Sequence, residues 1–201
     1  MGEPVELQPS RKRPFTFSTR DILIMVTLAL VLGVITIPIQ LASVTLNVAA
    51  PVAQRLLSGA YLIGPLLGGF IFRRYGVAFL IPLLSSLVWI ATSAFGFTVL
   101  LLGFFLGIYC EIGMWIGTRY RHFGQVHLMI AGIMAGTCSF VISGFLFGLQ
   151  NVPLWLSGLY WIMQMIGGGA AGLLAFQFAQ ALKRTGMLNN MPFVLDEYDE
   201  I

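Results

Sequence analysis

Glu111 is the one carboxylate set deep inside an apolar stretch of this sequence, at the end of Gly-Ile-Tyr-Cys-Glu, residues 107–111. An ionisable group among so many apolar residues is costly unless it faces a protein interior or water, so its default reading is functional. At helical spacing it shares a face with Gly103, Gly107 and Trp115, and a face of small residues packs against other helices. Such a carboxylate can pair with a ligand cation, couple an ion, or serve as a hydrogen-bonded structural group. Arg55 is the odd cation, placed apart from every other Lys and Arg. It can pair with Glu111, bind an anionic ligand group or snorkel to lipid headgroups, with Asn47 and Gln54 nearby as further polar groups.

Three more faces carry hydrogen-bonding or aromatic groups at offsets of three and four: Ser85, Ser86, Trp89, Thr92 and Ser93; Gly136, Ser139 and Ser143; and Tyr160, Trp161, Gln164 and Gly168. With Tyr109 and Trp115 they predict a cavity with aromatic walls, a few polar groups and one carboxylate. That set suits a flat, uncharged or cationic heterocycle held by stacking and cation–π contact. The predicted ligand-contacting residues are therefore Glu111, Trp89, Arg55, Tyr109, Trp115, Tyr160, Trp161 and Gln164.

Catalysis has little support. The sequence has no HExxH, GxSxG or Walker pattern, so no catalytic residue, cofactor or metal is expected, and any energy for transport must come from a partner or an ion gradient. Cys110 and Cys138 lie within apolar segments without metal spacing and read as small buried side chains. His122 and His127 read as a solvated loop.

The elements that must position these residues follow from composition. Hydrophobic residues make up 58% of the 201, and charged residues 9%. So few charges cannot cover a water-facing surface, and the chain must present most of itself to hydrocarbon. No basic run interleaved with exposed aromatics points to nucleic acid. Six apolar runs, at about 21–40, 53–72, 77–96, 98–118, 126–149 and 154–182, are each long enough to cross a bilayer as a helix. The expected fold is all-α, a six-helix transmembrane bundle. A polar tail over 1–17 precedes the membrane domain at 18–186, and an acidic tail follows at 187–201. The basic stub is followed by a run too long for a signal-peptide core, so that run is expected to be retained as the first helix.

Ten of the eleven basic residues fall on one side if the N-terminus is cytoplasmic: Arg11, Lys12, Arg13, Arg20, Arg73, Arg74, Arg119, Arg121, Lys183 and Arg184. The outer connections, around 41–52, 97 and 150–153, carry none. This bias predicts both termini in the cytoplasm. Helix boundaries are expected at Asp21, Pro51, Gly76, Gly96, Gly124, Pro153 and Gly186. Small residues at spacing four, such as Gly132 with Gly136 and Gly168 with Gly172, predict close helix crossings, and Ala29 with Gly33 offers such a face on the first helix.

The pattern resembles a known family. Phe17–Gly33, Gly103–Trp115 and Ala-Leu-Lys-Arg-Thr-Gly-Met-Leu-Asn-Asn-Met at 181–191 are similar to the substrate-binding S components of energy-coupling-factor (ECF) transporters, most closely the thiamine/hydroxymethylpyrimidine type, YkoE. The resemblance runs over most of residues 17–191. It implies a cell-membrane subunit that captures a vitamin or its precursor near the outer side. A transmembrane coupling subunit and two cytoplasmic ATPase subunits would drive the cycle. Ala29 and Gly33 would meet the coupling subunit, and Glu111 would face a thiamine-like cation or its aminopyrimidine. Where that family carries further glutamates, this chain has Pro82, Trp89 and Arg55, which implies a less cationic or a phosphorylated heterocycle. A membrane enzyme acting on lipid and a non-catalytic scaffold are the alternative readings.

Overall fold

A computed structural model describes residues 19–93, 96–147 and 152–184. The basic stub, both tails, the 185–191 part of the closing motif and the expected cap at Gly186 lie outside the described residues. The described chain is helical: α1 (Thr19–Ile35), α2 (Ile37–Ala49), α3 (Pro51–Leu57), a short 3₁₀ segment (Ser58–Leu62), α4 (Ile63–Phe72), α5 (Val77–Thr92), α6 (Thr98–Thr118), α7 (Gln125–Phe147) and α8 (Leu154–Arg184).

Four stretches are long and apolar enough to cross a membrane: Pro51–Phe72, Thr98–Thr118, Gln125–Gly144 and Leu154–Arg184. A fifth forms if α1 and α2, bent by 43° at their junction, act as one span. α5 is apolar but has 16 residues, about 24 Å at 1.5 Å per residue, shorter than a full hydrocarbon crossing.

The first apolar run ends earlier than expected. Pro38 lacks the N–H that would bond to Val34, and its ring crowds that carbonyl, so the helix breaks at Thr36. The Thr36 hydroxyl donates to the Leu32 and Gly33 carbonyls, both at 2.9 Å, and the Leu32 carbonyl also accepts the Thr36 N–H at 3.0 Å. Residues 41–52, expected as an outer connection, are mostly the helix α2. The chain reverses at Ala50, whose φ of −151° and ψ of 75° fit the non-helical preference of a residue before proline. Pro65 interrupts the next helical ladder in the same way, and the turn before it winds as 3₁₀.

The expected small-residue crossings are present. A Cβ on Gly132 would overlap the Gly168 carbonyl, and one on Gly172 would overlap the Leu128 carbonyl, so α7 and α8 meet backbone to backbone. Gly59 and Gly167 make a similar approach between the 3₁₀ segment and α8. Gly113 and Gly117 admit Ala135 and Ala131 of α7 against α6. In lipid, where apolar burial between helices gains little, such packing holds a bundle together.

Ala29 and Gly33 require a correction. Both are buried against α5 of the same chain. The Ser85 hydroxyl donates to the Ala29 carbonyl at 2.8 Å, and Trp89 Nε1 donates to the Gly33 carbonyl at 3.2 Å and to Thr36 Oγ1 at 3.0 Å. α5 therefore covers the face that was expected to meet a partner helix.

Candidate functional site

A cavity of about 580 Å³ lies between α2, α3, the 3₁₀ segment and α5–α8. The sequence placed it between the third to sixth apolar runs, with Arg55, Gln54 and Asn47 near its mouth. Because α2 was read as a connection, its contributions Gln40, Ser43, Val44, Asn47 and Val48 were not foreseen as one wall.

Tyr61 is the main aromatic residue that sequence reasoning missed. It meets Trp89 edge-on, with ring centroids 5.7 Å apart and planes at 77°, a favourable arrangement for two ring quadrupoles. Its hydroxyl donates to Ser43 Oγ at 3.2 Å, tying the 3₁₀ segment to α2. The available signal was its position six residues after Arg55, on the same apolar run. Trp89 is held by its bonds to Gly33 of α1 and to Thr36 at the α1–α2 junction. Tyr109 of α6 continues the aromatic lining, with Ser139 of α7 on the same wall.

Gln164, from α8, is 3% exposed and also lines the cavity. Its Nε2 donates to Ser139 Oγ at 2.7 Å, while its Oε1 is buried without a hydrogen-bond partner. A buried, unsatisfied carbonyl is costly and offers a docking point to any ligand N–H or O–H. Arg55 lines the cavity from α3, with its guanidinium carbon 5.2 Å from the centroid of Tyr160, which lies buried behind it.

The structure brings Arg55, Trp89, Tyr109 and Gln164 together on one cavity, with Tyr160 supporting Arg55. It does not bring the other three there. Trp115 and Trp161 are 60% and 41% exposed and do not line it. Glu111 is the larger departure. Its Oε1 accepts from the Gly76 backbone N–H at 2.8 Å and from the Tyr120 hydroxyl at 2.6 Å. The carboxylate thus joins the α4–α5 turn to the α6–α7 turn, outside the cavity. The sequence identified the correct face of α6, because Gly103 and Gly107 pack on α5, but that face delivers Glu111 to the turn where α5 begins.

The same end of the molecule holds the Arg74–Asp21 ion pair, 2.9 Å long, and the ring pair Tyr75–Tyr120, with centroids 4.1 Å apart. Gly76 takes φ +86°, a conformation open to glycine, which turns its N–H toward Glu111. Burial, and then the adjacent Glu111, raise the Tyr120 hydroxyl far above the usual tyrosine pKa, so it remains a donor. Replacing Glu111 with leucine is expected to lower stability by about 1 kcal/mol, the cost of unpairing two partly buried donors. Affinity for a cavity ligand should stay within about twofold, because the acid stands outside the cavity. Thermal unfolding beside a ligand titration measures both, and a tenfold loss of affinity in a folded variant would return Glu111 to the binding site.

Apolar helices enclosing a small-molecule cavity define a multi-pass protein of the cell membrane, of the permease class. The chain belongs to the family described as the permease component of the ABC-type cobalt transport system, which matches residues 20–138. It is 24% identical over 179 residues to a Bacillus subtilis (strain 168) protein named as an HMP/thiamine permease protein, YkoE, covering 88% of this chain and 89% of that one. Its fold is that of a crystal structure of an S component of an ECF transporter, with a TM-score of 0.84 at 22% identity over 92% of this chain and 95% of the other.

Proposed function

We propose that this chain is the substrate-capture subunit of an ECF-type importer, and that its ligand is a small aromatic heterocycle of the hydroxymethylpyrimidine kind. The observation that carries the reading is the cavity: Tyr61, Trp89 and Tyr109 supply ring surfaces, and Gln164 Oε1 supplies an unused acceptor among them. An aminopyrimidine would stack on the former and donate its exocyclic amine to the latter. The relative's name covers both hydroxymethylpyrimidine and thiamine. The family description names cobalt, but the cavity's polar set of guanidinium, amides and hydroxyls suits hydrogen bonding to an organic molecule. Among the described residues, no three His, Cys, Asp or Glu side chains group as a metal site.

In this reading the chain crosses the membrane six times, with α1 and α2 as one broken span and α5 as a short one. Both ends are cytoplasmic. Contacts at a single end of the bundle support it: Asp21 at the start of α1 meets Arg74, and Glu111 joins the turns before α5 and after α6. That end also carries Arg73, Arg119 and Arg121, as expected of a cytoplasmic face. The cavity opens at the other end. A transmembrane coupling subunit and two cytoplasmic ATPases supply the work.

One experiment tests site and sidedness together. In a background with Cys110 and Cys138 changed to alanine, a single cysteine replaces Asn47 on the cavity rim, or Tyr75 at the basic end. In intact cells a membrane-impermeant maleimide is expected to label the first and not the second, and hydroxymethylpyrimidine is expected to protect the first. Labelling of Tyr75→Cys from outside would invert the topology. Labelling at position 47 that no hydroxymethylpyrimidine or thiamine concentration slows would remove the proposed ligand class.

A further inference from the structure

Resting on the capture reading above, we infer that Arg55 is the subsite for an oxyanion on the ligand, so the cavity prefers an anionic heterocycle, bearing phosphate or carboxylate, over the permanently cationic thiamine. The first ground is a charge imbalance. The described residues contain two carboxylates, Asp21 and Glu111. Asp21 pairs with Arg74, and Glu111, whose Oε1 accepts from Gly76 and Tyr120 and whose Oε2 is buried without a hydrogen-bond partner, stands outside the cavity. The half-buried Arg55 thus lines the cavity with no carboxylate beside it among the described residues.

The second ground is chemical. A guanidinium does not shed its proton at any physiological pH, so it cannot escape the cost of burial by becoming neutral. Tyr160 offsets part of that cost through its ring face, but a ring leaves the N–H fork without acceptors. The fork matches two oxygens of a phosphate or carboxylate, which a lysine in the same place would meet only as a point charge. The lining near Arg55 adds neutral groups, Gln54 and Asn47, that can bond an oxyanion without repelling it. A thiazolium in this cavity would meet a like charge and no counter-charge.

The third ground is separation of roles. Gln164, on α8, would accept from the ring substituent, and Arg55, on α3, would hold the anionic arm, so the ligand is gripped at two points on different helices. A lipid phosphate shares this oxyanion chemistry, and the test must tell the two sources apart.

The purified full chain in phosphatidylcholine nanodiscs is titrated with four probes: hydroxymethylpyrimidine, its phosphate monoester, its 5-carboxylate analogue and thiamine. At least one anionic probe is expected to bind tenfold or more tightly than the neutral alcohol, with thiamine weakest. Arg55→Gln should erase that preference, weakening the anionic probe at least tenfold more than it weakens the neutral alcohol, and Arg55→Lys should keep part of it. Tightest binding by thiamine or the neutral alcohol overturns this inference and leaves the capture reading intact. Binding by none of the four overturns both. A ranking that Arg55→Gln leaves unchanged, with stabilisation by added phosphatidylglycerol lost in the same variant, assigns Arg55 to lipid and overturns the inference.

Discussion

Gln164→Leu is expected to bind the best pyrimidine ligand about 10–100-fold more weakly while the empty protein unfolds at the same temperature or higher. Gln164 is 3% exposed, and its Oε1 is a buried acceptor with no partner. In the empty protein that oxygen contributes a penalty, which leucine of similar volume removes. The variant gives up the Nε2 bond to Ser139, but Ser139 keeps Tyr109 on the same wall. With ligand bound the balance reverses, because the donor that met the buried Oε1 is left unpaired, at a cost of about 1–3 kcal/mol. Opposite signs in two measurements separate a binding residue from a packing residue. A variant that loses affinity and stability together, or neither, would make Gln164 a part of the α7–α8 crossing only.

Particular residues show how far the sequence could be read. The runs that became α6, α7 and α8 were found within a few residues of their ends, because about twenty or more predominantly apolar positions leave no other stable form in lipid. The glycine pairs of α7 and α8 were legible for the same local reason: a stripe at spacing four is a face wherever the helix goes. α2 was not legible. It has 13 residues, carries Gln40, Ser43, Thr45 and Asn47, and lies between Pro38 and Pro51, so it reads as a connection by length and composition. Ser43, its one buried residue, meets Tyr61 across the cavity wall, a tertiary contact that the sequence does not show. Glu111 shows the limit in another way. Periodicity chose the correct face of α6 but could not say how far along the neighbouring helix that face would land, and the landing point is Gly76 rather than a ligand. Ala29 and Gly33 show the same limit: the small face was real, and which helix covers it was decided by where α5 lies.

Gly168→Val is expected to abolish folded protein, with extracted material eluting as aggregate rather than as a single species. The reason is where the added carbons must go. A Cβ on Gly168 would overlap the Gly132 carbonyl, and the next small position, Gly172, already has the Leu128 carbonyl against it. A flexible side chain could yield, but these obstacles are backbone of a helix that cannot bend aside without losing its own hydrogen bonds. The usual cost of an overpacked core is about 1–3 kcal/mol, and parting two helices along a whole crossing exceeds it. In a bundle held by close packing rather than by apolar burial, little besides the Gln164–Ser139 hydrogen bond would keep α7 on α8. The damage would also reach the cavity, since Gln164 and Ser139 lie on these two helices and their bond sets the direction of the free Oε1. Gly158 on α8 provides the control. A Cβ there meets nothing within 4 Å. Gly158→Ala should therefore fold normally and gain up to about 1 kcal/mol from helix propensity, read as a higher unfolding temperature. If Gly168→Val gave a monodisperse, ligand-binding protein, the backbone contact between α7 and α8 would not be what holds this site in shape.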